Sequence, residues 1–472
     1  MSLLDDFKKQ FGLKMHNIGD LNKQVTFKRP VRTKPLTLGN PLEGITITDE
    51  YLKVKGLLEA GCQIVFVSGK AGTGKSTLIH YLRHTYKSNI VVVAPTGVAA
   101  LNVDGVTLHS YFQLPPRIAN EYDIKEVKDR KLYTKLDLLI VDEISMVRVD
   151  LIDAMDDFLR KNGRDEDLPF GGTQMLLVGD LFQLPPVVTK SEEKVLDERG
   201  YSSPYFFSAK SLEQCEMASI ELTEIFRQRD PEFTAMLNNI RVADNLEEVV
   251  PQLNDSCSAG EDDNSIITLS CTNAVADQIN LAEQLKLTGV SKTYNGEITG
   301  KFVVEEERLP SPLNLSLTVG AQVMFTKNDE IRRWVNGTLG KVVELLDDNI
   351  KVELISDTQG IVHDVQPVEW ESFKYEVDKV ADKIVPVVSG KYVQYPLMLA
   401  WAVTIHKSQG KTLEKVRVDL GTGAFASGQV YVALSRCRSL EDIRLTRPIR
   451  AAEVKCDPVI LRFNQMLSET YE

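Results

Sequence analysis

The sequence predicts an α/β protein of two units, each with a parallel sheet, and a small β insertion within the second. Three observations carry that prediction. Short continuous apolar runs alternate with helical patterns from residue 61 onward, and a second α/β pattern begins near residue 220. Between about 331 and 395 the texture changes to alternating runs joined by turn residues. Apolar runs rich in β-branched residues suit strands buried on both faces, which is how parallel sheets sit beneath their helices.

In chain order, residues 1–45 read as an irregular N-terminal extension. Its stretch Leu21–Lys34 carries Lys23, Lys28, Arg29, Arg32 and Lys34 with no acid, and reads as a solvated tail sooner than as a phosphate-contacting arm. The first unit, 46–220, has strands at Ile64–Val67, Ile90–Val93, Leu138–Val141 and Met175–Val178. Between the first two, Leu78, Ile79, Leu82 and Tyr86 share one helical face. The second unit comprises 221–330 and 396–472. Ile266–Leu269, Leu397–Val403 and Val416–Val418 read as its strands, and 273–286 and 428–435 as helices. In the insertion, Lys341–Leu346 and Ile350–Ile355 flank Asp347-Asp348-Asn349, a hairpin signal.

Length and composition bound this reading without naming a function. The 472 residues allow two to four domains at roughly 100–200 residues each. Hydrophobic residues make up 43% and charged residues 26%, an ordinary globular balance. No apolar stretch approaches the roughly 20 residues of a membrane span, and acids at Asp5 and Asp6 stand where a signal peptide is basic. Six scattered cysteines without a Cys-x-x-Cys argue for a reducing compartment and against a zinc or disulfide framework. The net charge of −12 counts against a simple nucleic-acid coating protein but allows a basic groove in an acidic body.

Gly69-Lys70-Ala71-Gly72-Thr73-Gly74-Lys75-Ser76 matches G-x-x-x-x-G-K-[ST] between an apolar strand and an amphipathic helix. Glycines let backbone N–H groups crowd a β-phosphate, and the helix N-terminus favours its charge. Gly69, Ala71, Gly72, Thr73, Gly74, Lys75, Ser76 and Thr77 are therefore the expected nucleotide contacts. Lys75 would reach the β/γ-phosphates, and Ser76 would ligate Mg²⁺. Leu138–Val141 runs into Asp142-Glu143, placing two carboxylates at the sheet edge where α/β ligands bind. Asp142 is the expected Mg²⁺ partner and Glu143 the group that polarises the attacking water. ATP and Mg²⁺ are thus the expected cofactors.

After the fourth strand, Gln183 is placed to sense a γ-phosphate. Arg227 and Arg436 are candidates to stabilise charge on the transferring phosphoryl group, worth roughly 10³–10⁵ in rate when supplied across a cleft. Taken alone, two arginines read more readily as surface ion-pair partners. If both come from the second unit, hydrolysis requires cleft closure.

The ordered set Gly69–Ser76, Ala94–Ala100, Thr107–Phe112, Val141–Met146, Gly179–Pro186, Phe226–Gln228, Thr404–Gly410 and Tyr431–Arg436 resembles the helicase motif series of superfamily 1, specifically its Pif-type and RecD-like 5′→3′ branch. Pro169–Gly172 fits as well, and the resemblance spans about 48–445. It implies two RecA-like motor domains, an SH3-like insertion (331–395) in the second, and a wedge element, at about 113–131, in the first. It further implies an ATP-dependent DNA helicase tracking 5′→3′ on single-stranded DNA, with Gln409 and Gly410 at the nucleotide and forked or tailed duplex as substrate. One departure stands out. Family members often carry an adenine-reading glutamine upstream of the cradle, where this chain has Thr48-Asp49-Glu50-Tyr51-Leu52, which puts adenine selectivity in doubt.

Post-strand loops of both halves supply the expected DNA contacts. Pro95, Thr96 and Gly97 precede a helix, so backbone N–H groups there can grip a phosphate. His109, Thr404 and His406 add polar donors. Tyr111, Phe112 and Phe182 either stack on bases, at roughly 1–3 kcal/mol per base, or pack in the core, and singly each favours the core. The alternatives to a helicase are a single-stranded DNA translocase that displaces proteins and an ATP-controlled DNA-binding switch. A monomer in a bacterial or phage cytoplasm, or another reducing compartment with DNA, completes the expectation.

Overall fold

The computed structural model describes residues 14–15, 42, 45–228, 230–257, 266–302, 309–357 and 359–469. The basic stretch 21–34 lies outside them. Seven parallel strands form the first sheet: β1 (Lys14–Met15), β2 (Ile64–Gly69), β3 (Ile90–Ala94), β4 (Val106–Thr107), β5 (Leu138–Val141), β6 (Gln174–Gly179) and β7 (Glu216–Leu222), in the order β1-β7-β2-β6-β5-β3-β4. All six residues of β2 and all four of β5 are buried, which is why these runs carry no polar alternation. Helices α1 (Asp49–Glu59), α2 (Lys75–Thr85), α3 (Gly97–Asn102) and α4 (Val149–Asn162) surround it. The four apolar runs read from the sequence all lie in this sheet. β1, β4 and β7 are not among those runs: β1 falls in the stretch read as irregular, β4 is two residues long, and β7 crosses residue 220 to sit between β1 and β2.

Helices α5 (Pro231–Val242) and α6 (Leu246–Cys257) follow. The second parallel sheet has β8 (Ile267–Ser270), β19 (Ala402–Thr404), β20 (Val416–Asp419) and β21 (Ile443–Leu445) in the order β19-β8-β20-β21, with α7 (Asn273–Leu285), α8 (Gln429–Leu434) and α9 (Pro458–Glu469).

The β texture between β8 and β19 is wider than 331–395. Strands β9 (Ser291–Asn295) and β11 (Asn314–Thr318) form a ribbon. β12 (Gln322–Phe325), β13 (Leu339–Leu345), β14 (Ile350–Leu354), β15 (Val362–Val365) and β18 (Leu397–Leu399) make a five-stranded antiparallel sheet, and the expected hairpin is β13–β14. β10 (Glu297–Gly300), β16 (Val368–Asp378) and β17 (Lys383–Gln394) form a third layer. The run Leu397–Val403 is not one strand. It changes sheets at Ala400-Trp401, where the Ala400 amide donates to Gln322 and the Trp401 carbonyl accepts from Thr268.

The hairpin β16–β17 reaches back to the first unit. Tyr375 is buried there, and its hydroxyl accepts from the Val92 amide and from Arg83 Nη2, both at 3.1 Å. Asn89 Oδ1 accepts from the Ile384 amide at 3.0 Å, and Lys135 pairs with Asp382. Among the described residues no helix is long and apolar enough to cross a membrane.

Candidate nucleotide site and inter-unit seam

The loop 69–74 leaves β2 and enters α2 with Gly72 and Gly74 both at φ +83°, a left-handed backbone that a side chain strains. Neither has room for one. A Cβ on Gly72 would lie 2.5 Å from that of Arg227, and one on Gly74 2.4 Å from the Tyr51 hydroxyl. Lys75 Nζ bonds the carbonyls of Gly69 and Lys70 at 2.8 and 3.0 Å. Thr73 is buried and turned onto the loop itself, donating to the Lys70 carbonyl.

This loop floors a cavity of about 540 Å³ lined by Ala71, Gly72, Gly74, Lys75, Ser76, Thr77, Glu143, Gln183, Arg227, Gly410 and Arg436. The phosphate cradle, the water-polarising carboxylate and both arginines read from the sequence therefore meet in one place. Gly69, Thr73, Asp142 and Gln409 stand behind that lining. Asp142 is buried at the end of β5, and Glu143 follows it at φ +50°. Burial, together with Glu143's charge, raises the Asp142 pKa. Burial raises that of Glu143 too, against the pull of Lys75 and Arg436. Burial lowers that of Lys75, although three carboxylates oppose the shift. Ser76 hydroxyl and Asp142 carboxylate are hard oxygen donors, the chemistry Mg²⁺ takes alongside phosphates and water. Burial raises both carboxylates, a penalty that a bound dication would relieve, so the residues fit the ion.

The two arginines arrive differently. Arg227 is not carried by the second sheet. It lies on the segment leaving β7, where Phe226 N donates to the Gly72 carbonyl at 2.9 Å. From there its guanidinium donates across the seam to the carbonyls of Ser435 (3.3 Å) and Gly410 (3.4 Å). Arg436 does belong to the second unit. It is 1% exposed and held by Val432, Ser408, Lys411 and Ser435. Burial and then Arg227 lower its pKa to about 9, still leaving it charged at neutral pH. Gln409, also from the second unit, donates to Glu143 Oε2 at 3.2 Å and to Gln183 Oε1 at 3.1 Å.

Sequence reasoning missed a second layer. Asp180, after β6, is fully buried and pairs with Arg241 of α5 at 3.0 Å. Tyr431 of α8 donates to its Oδ2 at 3.1 Å while accepting from the Ala71 amide at 3.1 Å. Burial pushes the Asp180 pKa up, but Arg241 and Lys75 outweigh it and the net shift is downward. Asp180 and Tyr431 lie inside recognised motifs; Arg241 lies in none, and only contact reveals it. Tyr51, Phe226 and Arg438 also line the cavity. Tyr51 is buried in the stretch noted for lacking glutamine, its hydroxyl donating to the Gly74 carbonyl at 2.7 Å.

The expected DNA contacts divide. Pro95, Thr96 and Gly97 follow β3, with the Thr96 hydroxyl capping α3 through the Ala99 amide. His109 follows β4. Thr404 ends β19 and accepts from the Lys407 amide, and His406 is half-buried in the next turn. All these lie at or beyond the carboxyl ends of the strands. Tyr111 and Phe112 do not reach a groove. They are 6% and 0% exposed, packed edge-on against Tyr133 and Phe158 respectively. Phe182 is likewise buried, with the Arg241 guanidinium 4.0 Å over its ring. Base stacking by these three is corrected to core and seam packing.

Residues 51–250 match the family model described as PIF1-like helicase. The chain is 34% identical over 453 residues to the ATP-dependent DNA helicase PIF1 of Danio rerio, covering 93% of this chain and 64% of that protein, so it spans slightly less than two thirds of that relative's length. Its fold matches Bacteroides sp Pif1 in complex with ADP-AlF4 (TM-score 0.80, 37% identity, 90% of this chain and 98% of that one). It also matches Bacteroides Pif1 bound to ssDNA (TM-score 0.64, 37% identity, 89% and 97%). With 37% identity across 98% of the Bacteroides protein, this chain belongs to the PIF1-like helicase family.

Proposed function

We propose that the chain is an ATP-dependent DNA helicase that translocates 5′→3′ on single-stranded DNA and unwinds tailed or forked duplex. The two parallel sheets are the RecA-like domains of its family. The observation that carries the reading is the seam: Arg436 from one unit and Lys75 with Glu143 from the other line one cavity. A triphosphate there contacts both units at once, so its binding and loss change how they sit.

In this mechanism the loop amides and Lys75 hold the β- and γ-phosphates. Glu143 orients the attacking water, Gln183 senses the γ-phosphate, and Arg436 and Arg227 take up charge spreading onto the transferring group. Ser76 and Asp142 would hold Mg²⁺, which neutralises phosphate charge. Loops at 95–97, 109 and 404–406, one set per unit, would grip successive phosphates, and the segment 113–131 would meet the duplex junction. What the relatives bind, ADP-AlF4 in one case and ssDNA in another, supports this assignment. Polarity follows the family resemblance. We place the protein, as a monomer, in a reducing compartment that holds DNA, in keeping with its six free cysteines.

The test has two parts. Single-stranded DNA should raise ATP turnover manyfold; turnover indifferent to DNA would leave only a nucleotide switch. A 5′-tailed duplex should open and a 3′-tailed one should not; the reverse order overturns the polarity.

A further inference from the structure

Asp180 belongs to the first unit by sequence and by sheet, yet groups of the second unit hold its carboxylate. Arg241 Nη2 and Nε donate to Oδ1 at 3.0 and 3.3 Å, and Tyr431 donates to Oδ2 at 3.1 Å. The Phe182 amide adds a bond to Oδ1 at 3.2 Å. α5, which carries Arg241, packs on α8 and α6, and α6 in turn packs on β21. Arg241 is therefore packed into the second unit.

Asp180 in turn fixes an amide. Gln183 Nε2 donates to its Oδ2 at 3.3 Å, which leaves Gln183 Oε1 to accept from Gln409, whose other bond runs to Glu143. An ionised carboxylate only accepts, so it dictates which end of the Gln183 amide faces it. That choice sets the direction of every later donor up to Glu143. The guanidinium lies over the Phe182 ring at 4.0 Å, pinning the backbone between Asp180 and Gln183. Buried chains of this kind act as a unit, because an unpaired member is costly.

We propose that Arg241 is a positioning residue for hydrolysis: through Asp180 it orients Gln183, so that the γ-phosphate sensor is set only while the second unit is seated. It does not line the cavity and acts through Asp180. The role rests on the nucleotide-hydrolysing, DNA-stimulated reading of the site and extends it to how the second unit reports its position.

The experiment is a double-mutant cycle on the full chain, using ATP with saturating oligo-dT and following kcat and KM separately. Arg241→Gln is expected to lower DNA-stimulated kcat by about tenfold or more, with KM for ATP within about threefold. Adding Gln183→Ala to it should cost less than about twofold further, because both act through one amide. Arg241→Lys, which keeps the charge opposite Asp180, should recover part of the lost turnover. Should Arg241→Gln not fold, the Lys variant runs the same cycle. Losses that multiply in the double variant, or an unchanged kcat, overturn the role and leave Arg241 a structural ion pair. A wild-type chain unresponsive to oligo-dT fails the motor reading instead, a different result from either.

Discussion

Lys75 is curled onto the carbonyls of its own loop, so an arriving triphosphate must offer its ammonium better partners than Gly69 and Lys70 do. Lys75→Ala removes that charge and should cost at least about 10²–10³ in turnover, measured as phosphate release. Glu143→Gln keeps the shape and the contact with Gln409 but cannot take a proton. Nucleotide affinity should survive while turnover falls by about 10²–10⁴; a variant turning over like wild type refutes the water-activating role. These two residues were legible because their chemistry is tied to local spacing: a lysine three residues before the start of an amphipathic face, and a carboxylate pair ending an apolar run. Arg241 was not, since nothing local distinguishes a helix arginine that finds a buried carboxylate 61 residues back. For Tyr111 and Phe112 the sequence leaves two roles open, stacking on bases or packing in the core, with the core favoured singly; both rings are buried in the core, which aromatics of this size readily fill.

Among the elements, the strands of the first sheet were legible because burial on both faces leaves an unbroken apolar run. β9 and β10 carry no such mark for the converse reason: three of the five residues of β9 and all four of β10 are exposed, so no hydrophobic period marks them. The hairpin β16–β17 shows its alternation but not its destination. Its docking depends on Tyr375, whose hydroxyl takes up the Val92 amide of β3. Tyr375→Phe leaves that buried amide unmet, at about 1–3 kcal/mol. Hydrogen exchange at Val92 should quicken by roughly tenfold to a hundredfold, and an unchanged rate would mean the hairpin contact carries no weight.

At the scale of the whole molecule, the second unit holds the seam through Arg436, Gln409, Arg241 and Tyr431, and the first supplies the cradle. Arg436→Ala should therefore leave ATP binding within a few fold while cutting turnover by about 10³ or more, read by nucleotide titration beside steady-state hydrolysis. One further consequence comes from the run 397–404, which serves as an edge strand of the five-stranded sheet and then as an edge strand of the second parallel sheet, with only Ala400 and Trp401 between. A connection that short has no slack. Any swivel of the second parallel sheet is handed to the five-stranded sheet like torque through a stiff shaft, and that sheet carries the β16–β17 hairpin with it.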